Sequence, residues 1–381
     1  MKIAVYAISK NESQFVERFC KSAKDADYVV IGDTGSTDDT VELAKSFGAI
    51  VHDITITPWR FDLARNAVLG VLPRDTDICI SLDLDEVLEP GWREEIEKVW
   101  TENPDTTNLW YYFDWGSGYE FWYRKIHSRK GYFWHHACHE DLRLDPRVGE
   151  KNFWLPKKLV SHYPDPTKSR GQYMALLDAA VKEDDRDPAH YFYYSRELTF
   201  NCRWEEARVA FHKYLSMPNA TNPNERCYAM RTLADVYQNL SNEQEREKWL
   251  LAAAGEAPGT REPWVALSRC MFDHGRWAEC FAFASRALSI TMDSKVYTMD
   301  PAVWGGTPHD LAGISAWYLG MKEQAIFHGE NAVTLEPEND HYRRNFEWYK
   351  KERSDVEGSH KNKDVGIEFD DSISLFNICE S

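Results

Sequence analysis

The chain has 381 residues, of which 43% are hydrophobic and 28% are charged, as is usual for globular proteins in water. This length allows two or more domains, each with its own core. The formal net charge of −17 at pH 7 argues against a protein whose main task is to grip a nucleic-acid backbone, because such proteins present basic faces. We therefore expect no nucleic-acid partner.

The eight cysteines are scattered along the chain and include no Cys-x-x-Cys pair. Several of them fall at apolar positions of helix or strand patterns, which predicts buried, reduced thiols and a cytoplasmic location. The apolar part of the N-terminal sequence MKIAVYAISKNES is too short for a signal peptide, and no run of about 18 apolar residues occurs. We therefore expect no membrane span.

The first 90 residues alternate between strand and helix patterns. The predicted strands are KIAVYAIS, YVVIGD, AIVHDIT and DICISLDLDE. The helices between them are a segment with Phe15, Phe19 and Ala23 on one face, then DDTVELAKSFG and RFDLARNAVLGVL. This βαβαβαβ order predicts an α/β fold with a doubly wound, mostly parallel sheet. No G-x-G-x-x-G follows the first strand and no P-loop motif occurs, so dinucleotide-dependent oxidoreductases and P-loop enzymes lose support.

The later chain changes character twice. Residues 106–163 contain further strand patterns, LWYYFDW, EFWYRKIHS and LVSHY, and from about residue 172 the pattern is helical. Four similar helical segments follow: NCRWEEARVAFHKYL, NLSNEQEREKWLLAA, DHGRWAECFAFASRAL and YLGMKEQAIFHGENAV. Their spacing is about 36–37 residues, except that the last comes 45 residues after the third, which predicts an insertion around VYTMDPAVWGG. Such periodicity is typical of tetratricopeptide-like helical hairpins, which stack to bury their apolar faces.

These patterns divide the chain into three predicted regions. An α/β domain is expected at residues 1–175 and a helical repeat domain at residues 176–350. Residues 351–381 are polar, acidic and without periodicity, which predicts a partly disordered tail.

Short polar segments follow each of the first four predicted strands: SKNES, GDTGSTDDT, WRFDLARN and DLDE. Because the carboxyl ends of parallel strands meet at one edge of a sheet, these segments are expected to form one ligand site. The fourth segment brings Asp83, Asp85 and Glu86 together, and such acids repel one another unless water, a cation or a polar ligand balances them. A solvated strand end and a metal and phosphate site both remain open, because Asp-x-Asp also occurs at residues 25–27, 75–77 and 185–187.

The stretches KNES, DTGSTDDTVELAKSFGA, FDLARN, LDLDEVL and HEDL, in this order, resemble a family 2 glycosyltransferase of GT-A fold. The motifs cover residues 1–175, and the helical repeats at 176–350 resemble a subgroup of that family. The resemblance implies inverting transfer of a hexose or related sugar from a nucleotide-diphosphate donor, with a UDP-sugar favoured, to an acceptor hydroxyl. It also implies a divalent cation, Mn²⁺ or Mg²⁺, that stabilises the departing diphosphate as a Lewis acid.

The resemblance also implies residue roles. In the family, the acid after the second strand faces the nucleotide base, which makes Asp33 a candidate, with the backbone near Ile8 and Ser9 beside it. Asp33 could equally be a turn residue that precedes a helix. Asp83 is expected near the ribose and Asp85 matches the metal ligand. If the strand keeps its pleat, alternation places these two side chains on one side.

Four more residues complete the predicted site. His162 is the second metal candidate, or else a polar residue that closes a strand. Arg65 is expected to meet the diphosphate, to position the acidic cluster or to lie on a helix surface. A general base must lie near the anomeric carbon, opposite the diphosphate, and HHACHEDL offers Glu140, which is favoured, and Asp141. A zinc site from the histidines and cysteine of this segment is disfavoured, because adjacent ligands crowd one another.

Other functions and partners stay open. The stretch WYYFDWGSGYEFWYR predicts either a stacking platform for a sugar or edge strands that cover a core, and Asp114 within it is a further polar candidate. The acceptor is expected to be a saccharide or a polypeptide. The alternative function is an interaction scaffold with an inactive glycosyltransferase-like domain, in which the repeats hold a partner protein or a second copy of the chain. A nucleotidyltransferase is disfavoured because SKNES is not a glycine-rich, basic loop.

Overall fold

The structure is a computed structural model, and it describes residues 1–116, 119–165 and 171–356. The chain forms two compact units. The first comprises Met1–Asp184 together with Lys295–Tyr297, and the second comprises Asp185–Ser294 and the chain from Thr298 onward. Of the predicted tail, residues 351–356 belong to the last helix and residues 357–381 lie outside the described part of the chain.

In its described residues the first unit combines an eight-stranded mixed sheet, a two-stranded sheet and five helices. Its strands are β1 (Ile3–Ser9), β2 (Tyr28–Asp33), β3 (Ile50–Asp53), β4 (Ile78–Ser81), β5 (Glu86–Leu88), β6 (Asn108–Asp114), β7 (Glu120–Ser128), β8 (Tyr132–His135), β9 (Asp141–Leu144) and β10 (Asn152–His162). Its helices are α1 (Ser13–Ser22), α2 (Thr40–Ser46), α3 (Phe61–Val71), α4 (Trp92–Glu102) and α5 (Tyr173–Glu183).

The large sheet has the strand order β3-β2-β1-β4-β7-β6-β10-β5. Strands β3, β2, β1 and β4 are parallel, as the alternating strand and helix patterns predict. Beyond β4 the sheet is mixed. Strand β7 is antiparallel to both of its neighbours, β4 and β6. Strand β10 is parallel to β6, and the edge strand β5 is antiparallel to β10. The prediction of an α/β fold is therefore confirmed. The parallel, doubly wound part of the sheet consists of strands β3, β2, β1 and β4.

The parallel half of the sheet is covered on both faces, which explains why every residue of β1 is buried. Helices α1 and α4 contribute to the core on one face, and α3 and the β8–β9 pair cover the other. Helix α3 approaches β2 closely at Gly32, where a Cβ atom would lie 2.2 Å from the Cγ2 atom of Val68. A side chain at this position would therefore push α3 away from the sheet, and α3 carries part of the predicted site.

The end of the first unit lies beyond the predicted boundary at residues 175/176, because α5 stays with the sheet. The ring of Tyr173 lies 6.1 Å from that of Phe61 at the start of α3. The carboxylate of Glu183 pairs with the guanidinium of Arg60 at 2.6 Å. The short segment Lys295–Tyr297 also belongs to this unit, since the amide of Trp122 donates to the Lys295 carbonyl at 2.8 Å.

The second unit is built from helical hairpins. Its helices are α6 (Pro188–Phe200), α7 (Trp204–Ser216), α8 (Pro223–Asn239), α9 (Glu243–Glu256), α10 (Glu262–Asp273), α11 (Trp277–Leu288), α12 (Thr307–Tyr318), α13 (Lys322–Leu335) and α14 (Asp340–Val356). The pairs α6–α7, α8–α9, α10–α11 and α12–α13 pack as hairpins, and each of the four similar sequence segments contains the second helix of one pair. The predicted helical-hairpin repeats are therefore confirmed.

Local sequence explains where these hairpins begin and where the repeat is interrupted. Helices α6 and α8 begin with proline after a capping residue, Asp187 or Asn222, whose side chain accepts hydrogen bonds from the first amides. The predicted insertion lies between α11 and α12, where the chain forms a short 3-10 turn at Pro301–Trp304. Small alanine side chains, among them Ala234, Ala254 and Ala284, let the helices approach closely in the core.

Among the described residues, the following cysteines are buried and form no disulfide: Cys20, Cys79, Cys138, Cys227, Cys270 and Cys280. Cys202, in contrast, is disulfide-bonded, which departs from the expectation of reduced thiols. Throughout residues 1–116, 119–165 and 171–356, every helix is too short or too polar to cross a bilayer.

Candidate active site

The acidic segment after β4 forms a tight turn. Strand β4 ends at Ser81, and the amide of Glu86 donates to the carbonyl of Asp83 at 2.9 Å. The expected strand pleat is therefore not kept here, and alternation does not align Asp83 with Asp85. The turn instead directs the two carboxylates to different partners, one toward α3 and β7 and the other toward the end of β10.

Arg65 joins two of the predicted acids. From α3 its Nη2 atom donates to Asp83 at 2.6 Å and its Nε atom donates to Glu140 at 2.7 Å. The guanidinium also lies 5.2 Å from the ring centroid of Trp134. Burial lowers the pKa of Arg65, but the two carboxylates outweigh this effect and raise it well above its ordinary value. Arg65 is buried and not on the helix surface, and its contacts with two acids are compatible with the predicted positioning of the acidic cluster.

Lys125 on β7 is a second buried cation, which the sequence analysis missed. Its Nζ atom donates to Glu86 at 2.7 Å and to Asp83 at 3.3 Å. Burial lowers the pKa of Lys125, but Asp83 and Glu86 raise it well above the ordinary value. Burial also raises the pKa of Glu86. Burial acts in the same direction on Asp83, but the positive charges of Arg65 and Lys125 outweigh it and hold the pKa of Asp83 below its usual range. The side chain of Asp83 is 38% exposed and that of Glu86 is 4% exposed, so Asp83 is the one open to a ligand.

The sequence contains a signal for this lysine. Arg124 and Lys125 are adjacent within the strand pattern EFWYRKIHS, and consecutive residues of a strand point to opposite faces. One of the two cations must therefore point inward. The structure shows a register shift between β6 and β7 at this point, and Lys125 is the one that is buried.

Asp85 and His162 lie side by side because β5 pairs with the end of β10. Glu86 is opposite His162 in this antiparallel pair, and the amide of Tyr163 donates to the Asp85 carbonyl at 2.8 Å. The Oδ2 atom of Asp85 and the Nε2 atom of His162 are 3.4 Å apart. Each side chain is only about a tenth exposed, and the ring of Trp115 packs against His162 with centroids 4.4 Å apart.

This pair is suited to a divalent cation. A carboxylate oxygen and an imidazole nitrogen are a donor set that Mn²⁺ accepts. The Nδ1 atom of His162 is buried and makes no hydrogen bond within the described residues, so Asp85 beside Nε2 is the polar neighbour of this ring that the structure shows. The charge count also favours a cation, because the three connected acids Asp83, Glu86 and Glu140 share two buried cations, Arg65 and Lys125, in the part of the chain that the structure describes.

The two predicted bases point in different directions. Glu140 lies in the turn between β8 and β9, where its Oε1 atom accepts from Arg65 and its side chain is 12% exposed. Asp141 begins β9, is 43% exposed, and accepts from Arg124 at 3.0 Å. The turn is held in shape by a backbone contact, since the Phe61 amide donates to the Ala137 carbonyl at 3.0 Å. Glu140 thus joins the cluster around Arg65, and Asp141 does not.

The remaining residues of HHACHE support this turn. His136 and His139 have φ angles of 80° and 55°, a left-handed conformation that is uncommon outside glycine. The Nη2 atom of Arg143 lies 3.1 Å from the Nε2 atom of His136, and His139 stacks on Tyr173. Cys138 is buried and forms no disulfide. These contacts give the segment a structural role beside Glu140.

Asp33 organises the loop after β2. Its carboxylate accepts from the Gly35 amide at 3.0 Å, from the amide and hydroxyl of Ser36 and from the Ser9 hydroxyl at 3.1 Å. Burial raises its pKa, but these hydrogen bonds outweigh burial and leave the pKa below the ordinary value. The turn role of Asp33 is therefore present. Ile8 and Ser9 pair with Gly32 and Asp33 in the sheet, so the three predicted nucleotide-binding positions are neighbours.

The aromatic stretch contributes to both faces of the sheet. Tyr111, Phe113 and Phe121 are buried in the core, whereas Trp110, Tyr112 and Trp122 lie on the other face and are partly exposed. The stretch is therefore part core and part surface. The predicted polar candidate Asp114 accepts from the Gly116 amide at 2.8 Å and pairs with Lys158 at 3.2 Å, which closes the end of β6.

Residues 5–158 match the family described as Glycosyl transferase family 2. An uncharacterized glycosyltransferase of Rickettsia prowazekii is 32% identical over 111 residues, which are 29% of this chain and 37% of that protein. An uncharacterized glycosyltransferase of Rickettsia bellii is 33% identical over 106 residues, which are 27% of this chain and 35% of that protein. The chain thus covers just over a third of the length of these curated relatives.

Among solved structures, the chain is similar to YrrB, which is described as a TPR protein with an unusual peptide-binding site. The TM-score is 0.36, and the sequences are 17% identical; the similarity covers 48% of this chain and 83% of that one. It is also similar to Pseudomonas aeruginosa pilF, with a TM-score of 0.37 and 12% identity over 47% of this chain and 72% of that one. Likenesses this weak identify no function. Residues 5–158, which contain the mixed sheet and the acidic cluster at its carboxyl edge, are thus the part of the chain that is similar to glycosyl transferase family 2.

Proposed function

We propose that the first unit is the catalytic domain of an inverting, metal-assisted glycosyltransferase. Its donor is a nucleotide-diphosphate sugar, with a UDP-sugar favoured, and its acceptor is a hydroxyl group. One observation carries the proposal: three carboxylates, Asp83, Glu86 and Glu140, share two buried cations at the carboxyl edge of a parallel sheet, inside the segment that matches family 2. This is the edge at which open α/β sheets bind their ligands.

The donor is proposed to bind across the ends of β1, β2 and β4. Asp33 and the backbone near Ile8 and Ser9 would contact the nucleotide base. Asp83 follows β4, and its partial exposure supports a contact with the ribose. The Asp33 carboxylate already holds its own loop in shape through hydrogen bonds. The nucleotide would therefore bind to a preformed surface.

Asp85 and His162 are the residues proposed to hold Mn²⁺ or Mg²⁺. When bound, the cation supplies Lewis-acid stabilisation of the departing diphosphate. The two side chains are each only about a tenth exposed, and Trp115 packs against the His162 ring, so a cation bound here would be partly shielded from water.

Glu140 is the proposed general base. Arg65 holds its Oε1 atom, which fixes the side chain and leaves Oε2 to accept the proton of the acceptor hydroxyl. The acceptor oxygen then forms a bond to the anomeric carbon while the bond from that carbon to the diphosphate oxygen breaks. Asp141 remains the alternative base, although its pairing with Arg124 favours Glu140.

Two further proposals concern the setting of the reaction. The helical hairpins of the second unit present large stacked surfaces, and we propose that they hold a partner protein or a second copy of the chain. We also propose a cytoplasmic location: the buried cysteines that form no disulfide in the described residues support it, because thiols stay reduced there, whereas disulfide-bonded Cys202 argues against it.

A thermal-shift screen tests the donor and the cation together. Nucleoside diphosphates and their sugars are added with and without Mn²⁺ to the wild type and to Asp85→Ala. A ligand at a hundredfold its dissociation constant stabilises the folded protein by about 2.7 kcal/mol. We expect one nucleotide to stabilise the wild type in a Mn²⁺-dependent manner and to lose this effect in Asp85→Ala.

The matched control is Asp105→Ala, which removes a carboxylate that is 76% exposed and paired with Lys151 on the surface. This variant should respond to the nucleotide as the wild type does. A cooperative melt without a shift from any nucleotide would overturn the proposal and favour a scaffold with an inactive domain.

A further inference from the structure

Four aromatic side chains form a continuous surface on the outer face of β6, β7 and β10. We name this set of Trp110, Tyr112, Trp122 and Trp154 the outer aromatic face. Trp110 and Trp154 are direct partners in the parallel pairing of β6 with β10, and their rings stack at 4.5 Å with planes only 8° apart. The ring of Trp122 lies edge-on to that of Trp154, with centroids 5.1 Å apart. It is tilted against the ring of Tyr112, with centroids 4.4 Å apart.

The outer aromatic face is exposed to solvent and is not part of the hydrophobic core. Trp154 is 50% exposed, and the other three rings are partly exposed. Their neighbours Tyr111 and Phe113, which point to the opposite face, are buried. Exposed tryptophans in one contiguous set, rather than singly, mark a place where a ligand covers the surface.

Polar groups border the rings. The Nε1 atom of Trp110 donates to the side chain of Asn152 at 3.1 Å, and the guanidinium of Arg124 lies 5.3 Å from the Trp110 ring. The ammonium of Lys295 lies 5.7 Å from the Tyr112 ring. These groups can hydrogen-bond a ligand that stacks on the rings.

The charges at this border are already paired within the protein. Arg124 binds Asp141 at 3.0 Å and Glu150 at 3.3 Å, and Lys295 lies 3.6 Å from Glu120. A charged ligand would therefore find no uncompensated partner here. A neutral ligand with an apolar face and a hydroxyl edge fits better, because the rings match the face and the paired groups match the edge.

The outer aromatic face is connected to the proposed base. Arg124 touches the Trp110 ring on one side and the carboxylate of Asp141 on the other. Asp141 directly follows Glu140 in the chain, and Glu140 binds Arg65 in the acidic cluster. The outer aromatic face therefore borders the start of β9, the strand that directly follows the turn carrying the proposed base.

From these contacts we propose that the acceptor of this enzyme is a neutral saccharide and that it docks on the outer aromatic face. Sugar rings offer an apolar C–H face, which stacks on indole, and hydroxyl groups, which bond to amides, guanidinium groups and carboxylates. The proposal rests on the proposed function and names the acceptor class for it. Trp154 and Trp110 are docking residues and take no part in the chemical step.

The first test is a binding measurement that needs no donor. Wild-type protein is applied to an array of immobilised oligosaccharides, and the glycan bound best is titrated in solution while tryptophan fluorescence is followed. We expect binding by the wild type and a dissociation constant raised by about tenfold or more in Trp154→Ala, because one stacking ring is lost. Trp154→Tyr keeps an aromatic ring and should restore most of the affinity.

A matched control is Phe327→Ala, which removes an aromatic side chain that is 54% exposed on a helix of the second unit. This variant should bind the glycan as the wild type does. Binding of no glycan by folded wild-type protein overturns the proposal, as does equal affinity in Trp154→Ala. Capture of peptides instead of glycans on a parallel peptide array would assign the acceptor to the polypeptide class.

A second measurement separates this proposal from the proposed function. Release of nucleoside diphosphate from UDP-sugars, with water as the acceptor, is followed in the wild type and in Trp154→Ala. Equal release in both proteins, with transfer to the glycan impaired only through a raised KM for the acceptor, supports both proposals. No release in the wild type overturns the proposed function, while the glycan titration still decides whether the outer aromatic face binds saccharides.

Discussion

The two edges of the large sheet carry the same short motif and use it differently. Asp-x-Asp precedes β2 and β4 at the amino edge, at residues 25–27 and 75–77, and it follows β4 at the carboxyl edge, at residues 83–85. In each place the acids lie beside strand ends and near basic residues. What differs is burial and the number of cations available to the carboxylates.

At the amino edge the carboxylates tie loops together. Asp27 accepts from Lys2 at 2.8 Å and from Arg93 at 3.0 Å, and Asp77 accepts from the Lys2 amide at 2.8 Å. Asp75 accepts from the hydroxyl of Tyr28. Asp27, Asp75 and Asp77 each have their own donor and Lys2 is half exposed, so these three carboxylates need no further ligand.

At the carboxyl edge the cations are shared and buried. Arg65 divides its donors between Asp83 and Glu140, and Lys125 divides its donors between Asp83 and Glu86. This leaves the cluster short of positive charge. The comparison teaches that the motif alone does not distinguish the two edges, whereas the number of buried acids relative to their cations does, and the proposed site depends on that difference.

The largest expected effect is on the chemical step. Glu140→Gln keeps the hydrogen bond to Arg65 but cannot accept a proton, so we expect kcat to fall by about 10²–10⁴-fold with little change in the KM for the donor. Steady-state kinetics with the donor found in the thermal-shift screen measure this loss.

Two variants sharpen this result. Asp27→Asn removes a carboxylate at the amino edge and should leave kcat unchanged. Asp141→Asn should cost less than about tenfold, since this residue contacts Arg124 and not the acidic cluster. A larger loss in Asp141→Asn than in Glu140→Gln would make Asp141 the base.

The second prediction concerns stability. Lys125→Met leaves Asp83 and Glu86 close together with a single remaining cation, so we expect the free energy of unfolding to fall by about 3–5 kcal/mol. Urea denaturation measures the change. The matched variant at the amino edge, Lys2→Met, removes an exposed cation and should leave the midpoint almost unchanged.

A double variant tests the cause of this loss. Lys125→Met combined with Glu86→Gln removes one buried negative charge and should recover part of the stability. If Lys125→Met unfolded at the same urea concentration as the wild type, the balance of charges at the carboxyl edge would not matter, and the two edges would be alike.

Local periodicity predicted most of the fold. Strand β2 was predicted at its observed residues, and the four helical segments each hold the second helix of a hairpin. These elements depend on apolar patterns that are complete within a few residues. The antiparallel pairings of β7 and β5 could not be predicted, because they depend on how distant segments align and not on either segment alone.

The site was predicted less completely than the fold, for a related reason. Motif order placed Asp83, Asp85, Arg65 and Glu140 at one edge, but the partners of these residues come from strands far along the chain. Lys125 lies 39 residues after Glu86, and no local pattern reveals that the two side chains touch. The end of β4 at Ser81 was also missed, because an apolar run followed by alternating acids resembles a longer strand.

The smallest expected effect is a pH dependence with opposite signs at the two edges. Partial burial raises the pKa of Asp27, but hydrogen bonds from Lys2, the Ile3 amide and Arg93 outweigh it and lower the pKa below 3.8. The stabilisation by Asp27 is therefore present above pH 3.8 and is lost as the pH falls. Burial raises the pKa of Glu86 above 4.5, so its ionisation costs stability as the pH rises from that value.

Urea denaturation of Asp27→Asn and Glu86→Gln between pH 3 and pH 7 measures both effects. Relative to the wild type, Asp27→Asn should become less stable as the pH rises from 3 to 5, by on the order of 1 kcal/mol. Glu86→Gln should instead gain stability relative to the wild type as the pH rises above 4.5. Slopes of the same sign would mean that Lys125 fully compensates Glu86. The carboxyl edge would then lack the excess negative charge on which the proposed cation site depends.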